Sequence, residues 1–529
     1  MFPRIRMAEG EALGECRDEG PRTAATDSRR RGIVDNLAWN LAGEVLPAVA
    51  AVVAIPLLVH RLGAERFGVL TVSWMMAGYF GLFDLGLGRA LTQAMAQHWS
   101  RGGGAAVAML FWTAFAMMLV VSAAAAIALA LLAPWLAHGA LRIPPALQRE
   151  TLLGFYLIAS GLPMLITASA LRAVLIAADR FDLLNLIRTP VGIMSFAAPV
   201  VLLPFTHNLA WLIGALVLNR AISWALYLAV IIYALPDLRA RVAIDLGAVL
   251  PLLGFGAWIT VSSVIAPILV YLDRFLIGGL LSIAALTAYS VPMEIVSKSF
   301  ILPAAVSGVM FPAFARSFSA ARGAPTALFV RSVKLVALVL CPFCAAVVTF
   351  APQIMSLWID GRFAQQSSRV LQILAVGAFI TGLAWIPLAL LHGARRPDLP
   401  AKIHLIDFPL YALVLWMSIR KFGLSGAAFT WSGRMFFENL ALFAMASRFI
   451  EAPARLLANA GAAFACALAI VAAGGFIGNL YLKTLFLLAV MVLTAVAGWR
   501  FVLEGSAVSA QLLGRLPSVF APIYEKAGD

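Results

Sequence analysis

Ala105–Ala133 reads AAVAMLFWTAFAMMLVVSAAAAIALALLA, without a charge, a proline or a glycine. A helix needs about 20 mainly apolar residues to cross a bilayer, and this stretch exceeds that. Comparable stretches begin near Asn36, Phe67, Thr151, Leu184, Leu209, Leu252, Ala285, Leu328, Arg369, Pro400, Leu424, Leu457 and Tyr481. With the one starting near Gly104 they make about fourteen spans, separated by short polar joints. The chain therefore reads as an all-α integral membrane protein. No long polar segment remains for a soluble domain.

Composition agrees. The 529 residues are 62% hydrophobic and 12% charged, too few charges for a soluble chain of this length. Mean hydropathy is +0.94. The net charge of +14 does not mark a nucleic-acid binder, because the basic residues stand singly in the joints and form no long arm. Lys and Arg collect on the untranslocated side of membrane proteins. An alternating thread that starts inside, on the strength of Arg29, Arg30 and Arg31, puts roughly 24 basic residues inside and 10 outside. Both termini are then cytoplasmic.

The segments divide as follows. Residues 1–32 form a polar cytoplasmic tail expected to be disordered. Residues 33–245 and 246–450 form two six-helix lobes, 451–505 two further helices, and 506–529 a second cytoplasmic tail. The division leans on a faint repeat. AWNLAGEVLPAVAAVVAIPLLVHRLG from Ala38 and AWITVSSVIAPILVYLDRFLIGGL from Ala257 align at a spacing of 219 residues, six spans apart. Such duplication is common in transporters. Prolines interrupt several spans, among them Pro47, Pro163, Pro190, Pro267, Pro292 and Pro303. Inside a bilayer these breaks are tolerated where neighbouring helices or a polar cavity satisfy the freed backbone.

Two motifs carry a resemblance. Pro56–Gly68 (PLLVHRLGAERFG) followed by Asp84–Ala90 (DLGLGRA), and Tyr271–Gly278 (YLDRFLIG) leading to Tyr289 and Pro292, resemble the polysaccharide transporter family. These are bacterial oligosaccharide flippases of the multidrug/oligosaccharidyl-lipid/polysaccharide exporter (MOP) superfamily, which includes the MATE transporters. Met310–Phe314 and the segment from Leu357 to Gly361 are similar to the family as well. The resemblance implies two six-helix lobes around a cavity that opens to each side in turn. It also implies a cargo, an undecaprenyl-diphosphate-linked oligosaccharide carried across the inner membrane for capsule, exopolysaccharide or O-antigen synthesis. A polysaccharide polymerase and chain-length machinery would be the implied partners beyond that cargo and the membrane lipids.

Ionisable residues inside spans are costly and mark candidate sites. Arg220 in the sixth span has no acid within a helical turn, and its fork suits a diphosphate; snorkelling to the interface or pairing with Glu44 across the bundle is the alternative. Arg89, Lys298, Lys334 and Arg434 are the other cations placed to grip the cargo. Glu44, alone in the first span, is the candidate for ion coupling. Asp84 with Arg89, Glu294 with Lys298, and Arg434 with Glu438 have the spacing of structural charge pairs. Asp273 and Arg274 suit a gate or a lobe contact near the outer end of the seventh span. Lys402, His404 and Asp407 suit the interface at the start of the eleventh.

Cys341 and Cys344 form a C-x-x-C inside an apolar run, where two small buried side chains are the expected reading and a metal is not. No phosphate-binding GxxxxGK[ST] loop and no HExxH motif occur, and no outer loop could house a catalytic domain. No cofactor and no enzymatic activity are expected. A multidrug antiporter of the same superfamily is the alternative, disfavoured because the intramembrane charges lean basic. A membrane glycosyltransferase or ligase is a more distant one.

Overall fold

The structure, a computed structural model, describes residues 22–82, 84, 86–99, 104–234, 243–245, 257–319, 325–450 and 454–513. Its main elements there are fourteen α-helices. The first six are α1 (Arg22–Leu82), α2 (Leu87–Trp99), α3 (Gly104–Trp135), α4 (Pro145–Ala177), α5 (Phe181–Leu202) and α6 (Leu209–Ala234). Then come α7 (Ala257–Leu280), α8 (Ile283–Lys298), α9 (Ile301–Ser319), α10 (Thr326–Trp358), α11 (Gly361–Gly393) and α12 (Asp398–Ala446). The last two are α13 (Ala454–Ala473) and α14 (Leu480–Leu513). Ten stretches among the described residues are long and apolar enough to cross a membrane.

Two helices are hairpins without a loop. α1 reverses at Gly63 (φ 78°) and α12 at Gly423 (φ 59°). Positive φ is open to glycine at no steric cost, so one residue makes each turn. Two passes are broken rather than reversed. α1 stops at Leu82 and resumes as α2, through Gly86 at φ 75°. α8 stops at Lys298 and resumes as α9. The turn at Gly63 and the start of α8 after Ser282 lie at the spacing of the sequence repeat, so both halves begin with the same straight pass and broken pass. Caps fix some starts: Ser282 accepts from Ala285 N at 3.0 Å, and Asp360 from Phe363 N at 2.7 Å.

Apolar side chains gain little by leaving lipid, so helices associate through close packing at small residues. A Cβ on Gly161 of α4 would lie 2.9 Å from Val217 of α6. One on Gly192 of α5 would lie 2.6 Å from Pro47 of α1. α1 to α6 pack on one another, α7 to α12 do likewise, and α13 and α14 lie chiefly against α10.

The two groups meet along α1 and α8. Thr287 Oγ1 donates to Ala64 O at 2.6 Å, and Gly68 lies against the backbone of Ile283. Arg142 N donates to Gly278 O at 3.1 Å, and Arg142 Nη1 to Leu281 O at 3.3 Å. Deeper along the same seam, Gly78 leaves room for the Tyr271 hydroxyl. The end of the bundle that carries Gly63 is thus closed.

Some expectations change. Helix α1 starts at Arg22, inside the tail expected to be disordered to residue 32; the rest of that tail, 1–21, lies outside the described residues. α14 likewise runs to Leu513, past residue 506, and 514–529 lie outside. The start near Leu252 also falls outside; α7 is described from Ala257.

A cationic pocket and a balanced charge network

In the first lobe, three arginines from three helices surround one tyrosine. Arg172 of α4, Arg188 of α5 and Arg220 of α6 all lie within electrostatic reach of the Tyr227 ring on α6. Arg172 and Arg220 also feel each other's charge. Tyr227 is buried, and its hydroxyl points to Leu184 O at 3.4 Å. Arg220 lines a crevice walled by Ser73, Trp74, Gly161, Leu165 and Ser195. Trp74 is held there by Nε1 donating to Ser195 O at 3.2 Å. Arg172 and Arg220 are half-buried and Arg188 is exposed, and Asp84 lies within electrostatic reach of Arg172.

Two acids reach the arginines, Asp84 at Arg172 and Glu44 at Arg188, and the placement of Glu44 corrects an expectation. It does not stand alone: Arg188 Nη2 donates to Glu44 Oε1, and neither side chain is deeply buried. Nor does it pair with Arg220. Gly43 sits against Asn185 and Gly192 against Pro47, which draws α5 onto α1 and sets residue 188 beside residue 44.

Asp84 departs from the expected pair with Arg89. Its Oδ1 accepts from Gly86 N at 2.9 Å, and its Oδ2 from Gly88 N at 3.2 Å and from Ser169 Oγ at 2.9 Å. It is the cap of the broken pass, tying the break to α4. Arg89 projects from the exposed face of α2, where His392 of α11 feels its charge across the two lobes.

The second lobe is built differently. Arg434 donates through Nε to Asp407 at 2.5 Å and through Nη2 to Glu438 at 2.9 Å, and its guanidinium lies 5.0 Å from the centre of the Tyr411 ring. Glu438 also meets His404 Nε2 at 3.3 Å. Arg434 is therefore held on two sides by acids, which removes it from the cations free to grip a cargo. His404 and Asp407 are members of this network rather than interfacial residues, whereas Lys402 pairs with exposed Asp398 at 3.1 Å.

Asp273 is 0% exposed and accepts from Tyr289 Oη at 2.6 Å and from Arg274 N at 2.8 Å. It is an interior group of the second lobe and not a lobe contact. Its neighbour Tyr271, two residues back, meets the first lobe at Gly78. Arg274 lies over the Tyr271 ring at 5.4 Å and within reach of Glu294. Glu294 and Lys298 pair at 3.0 Å as their spacing implies, and Lys298 Nζ also lies 6.0 Å from the Phe196 ring of the first lobe. Lys334, at an exposed position on α10, is not among the charges either cluster feels. Cys341 and Cys344 are buried in α10.

Arg172, Arg188 and Tyr227 were not singled out by sequence. The alternating thread of spans read from the sequence places both arginines in inside joints. The turn is at Ala178, Asp179 and Arg180, with Asp179 at φ 54°. That leaves Arg172 inside α4 and Arg188 two turns into α5.

Residues 57–365 match the polysaccharide biosynthesis protein family. The chain belongs to this family. It is 26% identical over 413 residues to the "Putative O-antigen transporter" of Shigella flexneri, covering 78% of this chain and 96% of that one. Among solved structures, it is similar to the lipid II flippase MurJ in an inward closed conformation, with a TM-score of 0.69 and 11% identity, over 88% of this chain and 99% of that one. It is also similar to an inward-facing multidrug resistance MATE family transporter of the MOP superfamily, with a TM-score of 0.61 and 14% identity, over 78% and 94% of the two chains. This member of the polysaccharide biosynthesis family is thus a multi-pass membrane protein on the MATE- and MurJ-like fold.

Proposed function

We propose that the protein is a flippase that moves an undecaprenyl-diphosphate-linked oligosaccharide across the bacterial inner membrane by alternating access of its two lobes. The observation that carries this reading is the trio Arg172, Arg188 and Arg220 around Tyr227, three cations with two acids, Glu44 and Asp84, in reach. Guanidinium groups bind phosphate oxygens two at a time, and burial strengthens each charged hydrogen bond. A diphosphate would seat among the three. Sugar would face the water between the lobes, towards Arg89, Gln93 and Gln97 on one face of α2.

The positive-inside count puts the Trp99 end in the cytoplasm. In that orientation the closed Gly63 end is periplasmic, so the cargo enters from the side where it is made. The glycan would serve O-antigen, capsule or exopolysaccharide assembly, and the polymerase and chain-length machinery would receive it. The chain acts as a carrier and not as a catalyst. A cationic pocket has the wrong sign for the organic cations a multidrug antiporter holds.

The test is a deletion strain scored for surface polysaccharide and for lipid-linked oligosaccharide retained in the cytoplasmic leaflet. Lost polymer with accumulated precursor, both corrected by the wild-type gene, is the expected result. Intact polymer with altered drug susceptibility would overturn the proposal in favour of drug export.

A further inference from the structure

A proline inside a helix has no N–H for the carbonyl four residues before it. In lipid that carbonyl needs another donor. At three prolines of this chain a side chain from a different helix supplies it. Pro199 leaves Ser195 O, which accepts from Trp74 Nε1 at 3.2 Å. Pro352 leaves Val348 O, which accepts from Gln372 Nε2 at 3.2 Å. Pro56 leaves Val52 O, which accepts from Trp358 Nε1 at 2.8 Å.

The first two bonds stay within a lobe. Trp74 and Ser195 both belong to the first, Gln372 and Val348 both to the second. The third bond crosses between lobes, because Val52 lies on the first pass of α1 and Trp358 is the last residue of α10. Val52 stands eleven residues before Gly63, about 16 Å below that turn at 1.5 Å per residue. Val49, Val52 and Val53 are each at least half exposed, so this stretch of α1 faces lipid. Above Trp358 the lobes stand apart on this flank. A cleft of about 450 Å³ separates His60 and Gly63 of α1 from Arg362 and Gln366 of α11. The other cross-lobe bond to this hairpin, from Thr287 to Ala64, belongs to the seam with α8.

We propose that Trp358 is a latch that holds the two lobes together at the Gly63 end by giving Val52 the donor that Pro56 lacks. Separation of the lobes at that end withdraws the indole from the carbonyl. Hydrocarbon offers neither group a new partner, so the open state leaves both unsatisfied and is disfavoured. The bias is written into one lobe and read by the other. With alanine at position 56, α1 would bond its own carbonyl and lose nothing on opening. The segment from Leu357 to Gly361, which the cationic pocket does not use, thereby acquires a role in setting how often the closed end opens. The lobe motion that the latch opposes rests on the transport reading above.

The test uses the full chain in lipid nanodiscs without cargo, its four cysteines replaced by alanine. Spin labels are carried on cysteines at Phe205 and Lys421, exposed near the outer turns of the first and second lobes. Electron–electron resonance then reads the distance between the lobes. The unlatched protein is made in two ways. Trp358→Phe leaves Val52 O without a donor in both states, and Pro56→Ala gives it one in both, so each removes the difference between them. Each should raise the population at the longer distance about fivefold, the ratio that one net hydrogen bond supports. Together they should raise it no further than either alone, because both act on one carbonyl. Unchanged populations in either single variant overturn the proposal. So does a multiplied rise in the double variant, which would make Trp358 a packing contact. Trp358→Leu takes the place of Trp358→Phe in the same cycle if the latter does not yield folded protein by size-exclusion chromatography. Intact surface glycan in the deletion strain would overturn the transport reading, whereas these distances judge the latch alone.

Discussion

Arg188 on α5 donates to Glu44 on α1, so one acid of the arginine trio is already engaged. A half-exposed ion pair contributes about 0–1 kcal/mol. Glu44→Gln should therefore cost no more than about 1 kcal/mol in thermal unfolding and leave surface polysaccharide near its normal amount, because the cationic pocket stays intact. Complete loss of polymer in a folded Glu44→Gln protein would return Glu44 to the coupling role its sequence position suggests.

Arg172→Ala and Arg220→Ala should each weaken binding of undecaprenyl diphosphate about 10- to 100-fold, since hydrogen bonds to charged groups contribute about 1.5–3 kcal/mol. Lysine at either position should recover part of the loss, by keeping the charge without the fork. Native mass spectrometry of the purified protein reads the affinity. Equal binding by wild type and both variants would remove the trio as the diphosphate site.

Asp84→Ala removes the acceptor for two backbone amides and for Ser169. Loss of a cap costs about 0.5–2 kcal/mol, so the variant should melt measurably lower in detergent. Arg89→Ala, on the exposed face of α2, should melt like wild type. The reverse order would restore the Asp84–Arg89 pair as the structural element.

The closed Gly63 end depends on glycine. A side chain at Gly68 would run into the backbone of Ile283, so Gly68→Val should hold α1 and α8 apart. A cysteine placed at Thr287 should then react faster with a membrane-impermeant maleimide than it does with Gly68 in place. Conversely, a short bifunctional thiol reagent joining cysteines at Ala64 and Thr287 should stop polymer export until it is cleaved. Export that continues through the cross-link would rule out movement at this seam as part of the cycle.

The helices were legible because length and hydropathy decide them, as in Ala105–Ala133. The duplication was legible at Trp39 and Trp258, and the matching turn at Gly63 and helix start after Ser282 agree with it. Pairs on one helix were legible too, since Glu294–Lys298 and Arg434–Glu438 need only the helical period. Partners on different helices were not. Glu44 with Arg188, Asp273 with Tyr289, and Arg434 with Asp407 depend on how each helix is rotated. Rotation follows from small-residue contacts such as Gly43 on Asn185, which no single segment reveals. Arg172 and Arg188 were missed for a related reason, because a shift of a few residues in the placing of a joint moves a basic side chain from loop to interior.

The two lobes handle charge in different ways: the first sets three arginines against two acids, Glu44 and Asp84, while the second encloses Arg434 between two acids. On the proposed cycle this makes the protein asymmetric towards the membrane potential. A diphosphate held by the trio travels with its own counter-charges, so the loaded step moves little net charge through the field. The empty return carries the excess arginine charge that Glu44 and Asp84 leave uncompensated, and at about 2.3 kcal/mol per charge per 100 mV it is the step on which voltage does work. An interior-negative potential would then draw the vacant pocket back towards the side where cargo is loaded.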